Sequence, residues 1–275
     1  MTQRRISYWR GKRAVVTGGS AGLGRAVASV LVESGARVAI VARRQVVLDA
    51  AAQELRAGGG EVLPIAADVT QQDDVSRLAS NVQAAWGGVD LLCNCAGRSM
   101  RGTVLGTPAD EFRALWEANF LSALRCTQTF APALTESRGH VVLVGSLASK
   151  AAAAYLGAYP ASKYPLAALA QQLRMEIGDA LHVLLVCPGP IARNDGTDFA
   201  QRYADQASDL PAAAHRPGGG AKVRAIDPRW LAQQILRACE ARHAELVIPR
   251  KARLLFALSQ LSPHLGDWLL RKMTS

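Results

Sequence analysis

The chain has 275 residues, ample for one large domain with a full core and short for two. Hydrophobic residues make up 49% and charged residues 20%, a globular balance that excludes a disordered chain. A formal net charge of +10 points to an anionic partner, and the lack of zinc-finger spacing, RNA-binding aromatic motifs or long Lys/Arg blocks argues against nucleic acid.

In chain order, residues 1–10 form a basic extension with Arg4, Arg5 and Arg10 but no apolar signal core. Arg13 to Thr17 reads as a buried strand, followed by a glycine-rich turn and a helix over Arg25 to Glu33. Strands are predicted at Arg37 to Ala42, Glu61 to Ala66, Val89 to Asn94, His140 to Gly145, His182 to Val186 and Glu245 to Ile248. Helices are predicted at Val47 to Arg56, Val75 to Trp86, Phe112 to Phe130 and Ala161 to Ile177. Strands alternating with helices mean repeated βαβ units, hence an α/β fold with one doubly wound parallel sheet and helices on both faces. The expected organisation is the extension at 1–10, a dinucleotide-binding and catalytic domain at 11–250, and an amphipathic helical tail at 251–275.

The stretch from Arg193 to Lys222, with Pro211, Pro217 and Gly218 to Gly220, reads equally as a substrate loop or an ordinary surface insertion. In the tail, Leu254, Leu258, Leu261, Leu265 and Trp268 recur at helical spacing among Arg250, Lys251, Arg253, Arg271 and Lys272. Pro263 and Gly266 are expected to break it into two short helices. A hairpin packed on the domain or on a neighbouring subunit is the preferred reading, and a membrane-surface segment is the alternative. No apolar run is long enough to span a bilayer. The odd, scattered set of five cysteines suggests a reducing, cytoplasmic setting. Cys93 and Cys95 read as small buried hydrophobes, and no metal site is expected.

A doubly wound sheet binds ligands at the C-terminal ends of its strands, and the polar and glycine-rich motifs all fall there. Thr17 to Gly24 reads TGGSAGLG between a strand and a helix. Gly18, Gly22 and Gly24 let backbone N–H groups approach a pyrophosphate that the helix N-terminus favours, with Thr17, Ser20 and Leu23 in the same turn. The second strand ends at Ala42, where an acidic residue would meet a free ribose 2′-hydroxyl, and Arg43 and Arg44 follow instead. Guanidinium groups match a 2′-phosphate, so NADP(H) is expected over NAD(H), with Arg43 first and Arg44 in support. Asp68 is placed to accept from an adenine amino group, with the N–H of Val69 beside it, while Asp73 and Thr70 suit the cap of the next helix.

Tyr159 and Lys163 are four apart, on one face of a helix. A nearby ammonium favours the phenolate, so the tyrosine can exchange a proton with a carbonyl or alcohol oxygen. Ser146, at a strand end, is placed to bond that oxygen.

With these motifs the sequence resembles the short-chain dehydrogenase/reductase family over roughly residues 11 to 250. The matching residues, in one collinear order, are TGGSAGLG at 17–24, Asp68-Val69, NCAG at 94–97, Asn119, Ser146, YPASK at 159–163 and PGPI at 188–191. The resemblance implies hydride transfer between NADP(H) and a small carbonyl or secondary alcohol. It implies that Ser146 orients the substrate oxygen and Tyr159 is the acid/base. Lys163 would also bond the nicotinamide ribose, and Asn119 would hold a water in the relay to Lys163. Asn94 would support the sheet beside the cofactor, where Ala96, Gly97, Pro188 and Gly189 complete the wall. Ile191 would meet the carboxamide through its backbone. A homodimer or homotetramer is implied as well.

Three positions depart from the family pattern. Cys95 replaces a usual asparagine, Arg193 replaces a threonine that contacts the nicotinamide amide, and Pro165 follows the lysine. The helix therefore either starts near Pro160 or bends at Pro165. Two further readings stay open: a membrane-associated reductase of long-chain or lipid-derived ketones, 3-ketosphinganine- or steroid-like, and a non-catalytic NADP(H)-binding regulator.

Overall fold

A computed structural model describes residues 8–192, 203–207, 209–216 and 224–274. Seven parallel strands form one sheet in the order β3-β2-β1-β4-β5-β6-β7. They are β1 (Arg13–Thr17), β2 (Arg37–Ala42), β3 (Val62–Ala66), β4 (Leu91–Asn94), β5 (His140–Val144), β6 (His182–Pro188) and β7 (Glu245–Ile248). The strands are apolar on both sides because both sides are covered. Alternate residues feed two cores: Val16, Ile40 and Leu91 enter one, and Val15, Val41 and Leu92 the other.

The first core is roofed by α1 (Gly22–Glu33), α2 (Gln45–Arg56) and a helix over Pro228–Glu240, numbered α7. The second is roofed by α3 (Gln72–Trp86), α5 (Ser122–Glu136), α6 (Tyr159–Ile177) and α8 (Ala252–Leu261). Each fully buried leucine, such as Leu31 or Leu92, contributes about 1.5–3 kcal/mol by leaving water. Trp9 also joins the first core, 1% exposed, and its indole N–H donates to Glu240 of α7 at 2.8 Å. The first described residues are thereby anchored to the domain.

The strand order reverses direction at β1 and β4, and this switch point opens the crevice where the site motifs gather. The sequence expectation of one helix over Phe112 to Phe130 is refined here. The segment begins with α4 (Ala109–Trp116), passes through a π turn at Glu117–Leu121, and continues as α5. Such single π turns tend to mark functional positions, and Asn119 sits in this one, 1% exposed.

Helix α6 starts at Tyr159, with Pro160 in its first turn, where a missing N–H costs nothing; Pro165 lies inside it. Helix α7 is not among the helices expected from sequence, although Asp227 and Pro228 form a cap signal: the Asp227 carboxylate accepts from Trp230 N at 2.7 Å. The tail forms two helices, α8 and α9 (Pro263–Thr274). Pro263 opens the second, but Gly266 does not break it. Gly266 is where the two helices touch, and a Cβ there would stand 2.6–2.8 Å from Ser259. No described helix is long and apolar enough to cross a membrane.

Candidate active site

The turn after β1 is shaped for close backbone approach. Gly18 has φ +66, and a Cβ on Gly24 would stand 2.3 Å from the Gly18 carbonyl oxygen, so only hydrogen fits there. Helix α1 starts at Gly22, preceded by Ala21 as N-cap, with no side-chain cap and no acidic residue in its first turn. Its leading N–H groups therefore face the crevice with a positive dipole end and no carboxylate against it. These residues fit a pyrophosphate. The Thr17 hydroxyl is engaged elsewhere. Its Oγ1 accepts from the N–H groups of Cys95 and Ala96, both at 3.1 Å, and ties β1 to the end of β4.

Arg43 and Arg44 are both exposed beyond β2, and Arg44 precedes an α2 that also lacks a side-chain cap and first-turn acid. Among the described residues neither guanidinium group makes a hydrogen bond or ion pair, and the Arg44 carbonyl only accepts from Leu48 N, which leaves both guanidinium groups open to a phosphate.

Asp68 is more committed than its expected adenine contact suggests. Its Oδ1 accepts from Thr70 N at 3.0 Å and from Thr70 Oγ1 at 2.7 Å. The cap expected from Asp73 or Thr70 is corrected: Gln71 precedes α3, and Asp74 reaches back to accept from Asp68 N. Val69 is buried beside them. Asn94, 4% exposed, donates to Thr127 Oγ1 at 3.3 Å, and its buried Oδ1 has no protein partner. A buried acceptor left over at the crevice wall suits a donor from a ligand or water.

Around Tyr159 the groups converge from four elements. Ser146, just after β5, accepts from Ala148 N at 3.1 Å, and its hydroxyl lies close enough to that of Tyr159 to favour the phenolate. Lys163, 5% exposed, lies one turn along α6, and its Nζ donates to Val144 O at 2.9 Å. Asn119 is locked: its Nδ2 donates to Arg98 O and Ser162 Oγ, both at 2.8 Å, and its Oδ1 accepts from Arg98 N. A Cβ on Gly97 would stand 2.5 Å from that Oδ1 and 3.4 Å from Lys163 Nζ, so Gly97 keeps the asparagine and the lysine side by side. On the last wall, Gly189 N donates to Ile248 O at 2.8 Å next to Pro188, and Ile191 pairs as a single bridge with Ile226. Arg193 lies outside the described residues, as does most of the Arg193 to Lys222 stretch.

The electrostatics differ from the simple tyrosine–ammonium picture. Burial pushes the Tyr159 hydroxyl above its usual 10, while the nearby Ser146 hydroxyl and the Arg101 guanidinium pull against that shift. Burial pulls Lys163 down to about 8, and Cys95 and Cys187 oppose it.

Arg101 and its neighbours are not among the residues expected from sequence. Arg101 is 4% exposed, its Nε donates to Ala214 O at 3.0 Å, and its guanidinium lies 4.3 Å from the Tyr203 ring centre. The Tyr203 and Ser99 hydroxyls are 2.6 Å apart. These contacts bind the segment around 203–214 to the loop after β4. A single arginine in a loop carries no spacing signal that would have singled it out.

The comparisons with known proteins agree with this fold. Residues 12–205 match the family described as short chain dehydrogenase. A glycine betaine reductase from Emericella nidulans is 34% identical over 230 residues, covering 83% of this chain, which spans only 17% of that longer protein. A ketoacyl reductase from Nostoc is 28% identical and covers 95% of this chain and 88% of its own length. Among solved structures, L-sorbose reductase from Gluconobacter frateurii, complexed with NADPH and L-sorbose, has a TM-score of 0.75 at 25% identity, covering 87% of this chain and 95% of that one. From its fold, its crevice and these matches, the chain belongs to the short-chain dehydrogenase family.

Proposed function

We propose that the chain, as a homodimer or homotetramer, is an NADP(H)-dependent oxidoreductase acting between a carbonyl and a secondary alcohol. The observation that carries this reading is the convergence of Ser146, Tyr159 and buried Lys163 at a crevice whose first turn suits a pyrophosphate. The nicotinamide, when bound, supplies or receives the hydride. The two hydroxyls offer paired donors to one substrate oxygen, and Tyr159 gives that oxygen its proton as the carbonyl is reduced. Lys163 spends one N–H on Val144 O and keeps two for a ribose hydroxyl and the proton path. Asn119, held in the π turn, fixes the loop at Gly97 on which that path depends.

NADP(H) preference rests on Arg43 and Arg44. Replacing both with Ala should weaken NADPH binding by about 1.5–3 kcal/mol for each charge-assisted hydrogen bond removed, and leave NADH binding nearly unchanged. Initial rates with each cofactor over a panel of short, aromatic and long-chain ketones check this. A native preference for NADH would remove the assignment.

A second reading concerns where the enzyme works. Leu254, Leu261, Leu265 and Trp268 on α8 and α9 are 67%, 83%, 40% and 55% exposed, with exposed Arg253, Arg271 and Lys272 among them. This favours docking on an anionic membrane surface and a lipid-derived ketone as substrate, in a cytoplasmic protein peripheral to the membrane. Co-sedimentation with anionic but not zwitterionic vesicles is expected, with loss in a Leu261→Glu, Trp268→Ala double variant. Equal recovery in the supernatant with both vesicle types removes this reading.

A further inference from the structure

At the opposite end of the sheet from Ser146, β5 and β6 each begin with a histidine. His140 and His182 meet ring to ring, Nδ1 to Nδ1 at 2.8 Å, and both are buried. Cys239, on the last turn of α7, is fully buried beside them. One ligating atom from each of the three residues lies within 4.8 Å of the others. The outer nitrogens are also engaged. His140 Nε2 is 2.7 Å from the Tyr8 hydroxyl, and His182 Nε2 is 2.9 Å from the carbonyl oxygen of His243.

That carbonyl can only accept, so His182 Nε2 carries a proton and its Nδ1 is left with a lone pair. In the metal-free chain, His140 Nδ1 donates to that lone pair, and Tyr8 donates to His140 Nε2. The whole cluster is then closed on one shared proton between two ligand-grade nitrogens. Move that proton to His140 Nε2, where the Tyr8 hydroxyl accepts it, and both Nδ1 lone pairs face the same point beside Cys239. Each histidine would then donate its outer N–H to an oxygen already in place, the arrangement that orients metal-bound imidazoles. Burial keeps both rings in the neutral form that ligates.

We propose that His140, His182 and Cys239 form a zinc-binding site at the foot of the sheet, with a water as the fourth ligand. Two imidazole nitrogens and a thiolate suit Zn²⁺ in donor type and geometry. Bonds of about 2.0–2.1 Å to nitrogen and about 2.3 Å to sulfur require the facing nitrogens to open to roughly 3.3 Å and the thiol to close in. Binding releases the Cys239 proton to solvent. The ion would join β5, β6 and α7, and Tyr8 and Trp9 already brace two of these, β5 and α7. It lies at the opposite end of β5 from Ser146, so its role is structural.

The test uses the full chain, stripped with chelator and titrated with Co²⁺ and Zn²⁺. The wild type should bind one Co²⁺ per chain, with intense visible absorption of a four-coordinate ion and a near-ultraviolet thiolate-to-cobalt band. Zn²⁺ should displace it, and at a hundred-fold excess over its Kd should raise Tm by about 5 °C or more. Cys239→Ala should lose the thiolate band and bind at least roughly ten-fold more weakly, while its metal-free circular dichroism and ketone reduction stay at wild-type levels. His182→Gln should lose affinity similarly. A wild type that gains no thermal stability from Zn²⁺ overturns the proposal without reference to any variant. A thiolate band that survives in Cys239→Ala also overturns it, since the metal would then sit elsewhere, as at Cys93 and Cys95, whose sulfurs are 3.4 Å apart.

Discussion

Tyr159→Phe is expected to lower kcat for ketone reduction by about 10²–10⁴, the range for removing a general acid, while NADPH still binds. The ring remains and packs as before against Met100, Leu115 and Ala158, so the variant isolates one hydroxyl. NADPH oxidation under saturating ketone and NADPH fluorescence titration separate the two effects. A biological role that survives intact in this variant would instead favour a cofactor-binding regulator. The wild-type pH profile gives a second check. Burial raises the Tyr159 pKa, so the protonated acid persists through neutral pH. Reduction, which consumes that proton, should fall only as pH climbs through the raised pKa. Alcohol oxidation, which needs the phenolate, should rise over the same window. A reduction rate already falling below pH 7 would take the proton from Tyr159 and give it to another group.

What the sequence could show of this site follows from how each residue is specified. Tyr159, Lys163 and Ser146 were legible because regular elements set their spacing: a helix face for the first two, a strand end for the third. Gly18 and Gly24 were legible because only glycine tolerates the turn. The two cores follow from alternation along buried strands, which needs no tertiary information. Contacts between distant loops were hidden. The Arg101–Tyr203 stack joins residues about a hundred positions apart and leaves no local pattern. The π turn at Asn119 was hidden for another reason: one extra residue in a helical turn barely changes the apolar period, yet it turns the asparagine toward Arg98 and Ser162. His140 and His182 stand at matching positions of adjacent parallel strands, and only the sheet register brings them together. Helix α7 carried its Asp-Pro start in plain view, but short polar-faced helices are easily absorbed into loops.

Lys163→Met should separate function from stability in opposite directions. Activity should fall by about 10²–10⁴, and if Lys163 holds the nicotinamide ribose as proposed, NADPH affinity should fall with it, unlike in Tyr159→Phe. The folded protein, however, should gain stability. The lysine is 5% exposed and its pKa is pulled from 10.5 to about 8, which is the signature of a buried charge held against a desolvation penalty of about 3 kcal/mol. Below pH 8 the lysine is charged in both folded and unfolded chains, so the penalty is fully present. From pH 8 to 10.5 the folded chain releases the proton first, and the wild type gains stability as pH rises. Above 10.5 the penalty is gone. Methionine removes the charge, keeps most of the volume, and forfeits one hydrogen bond to Val144 O, worth about 1 kcal/mol. The net gain at pH 7 is therefore about 2 kcal/mol, or a Tm roughly 4–8 °C higher, shrinking as pH passes 8. Calorimetry of the cofactor-free protein at pH 7 and pH 10 measures this difference. Equal Tm values for wild type and variant at both pH values would mean that the ammonium is solvated in the folded chain. Lys163 would then not be the buried, strained group that the crevice requires. A gain confined to low pH would show the chain holding a costly charge in place for the sake of its chemistry.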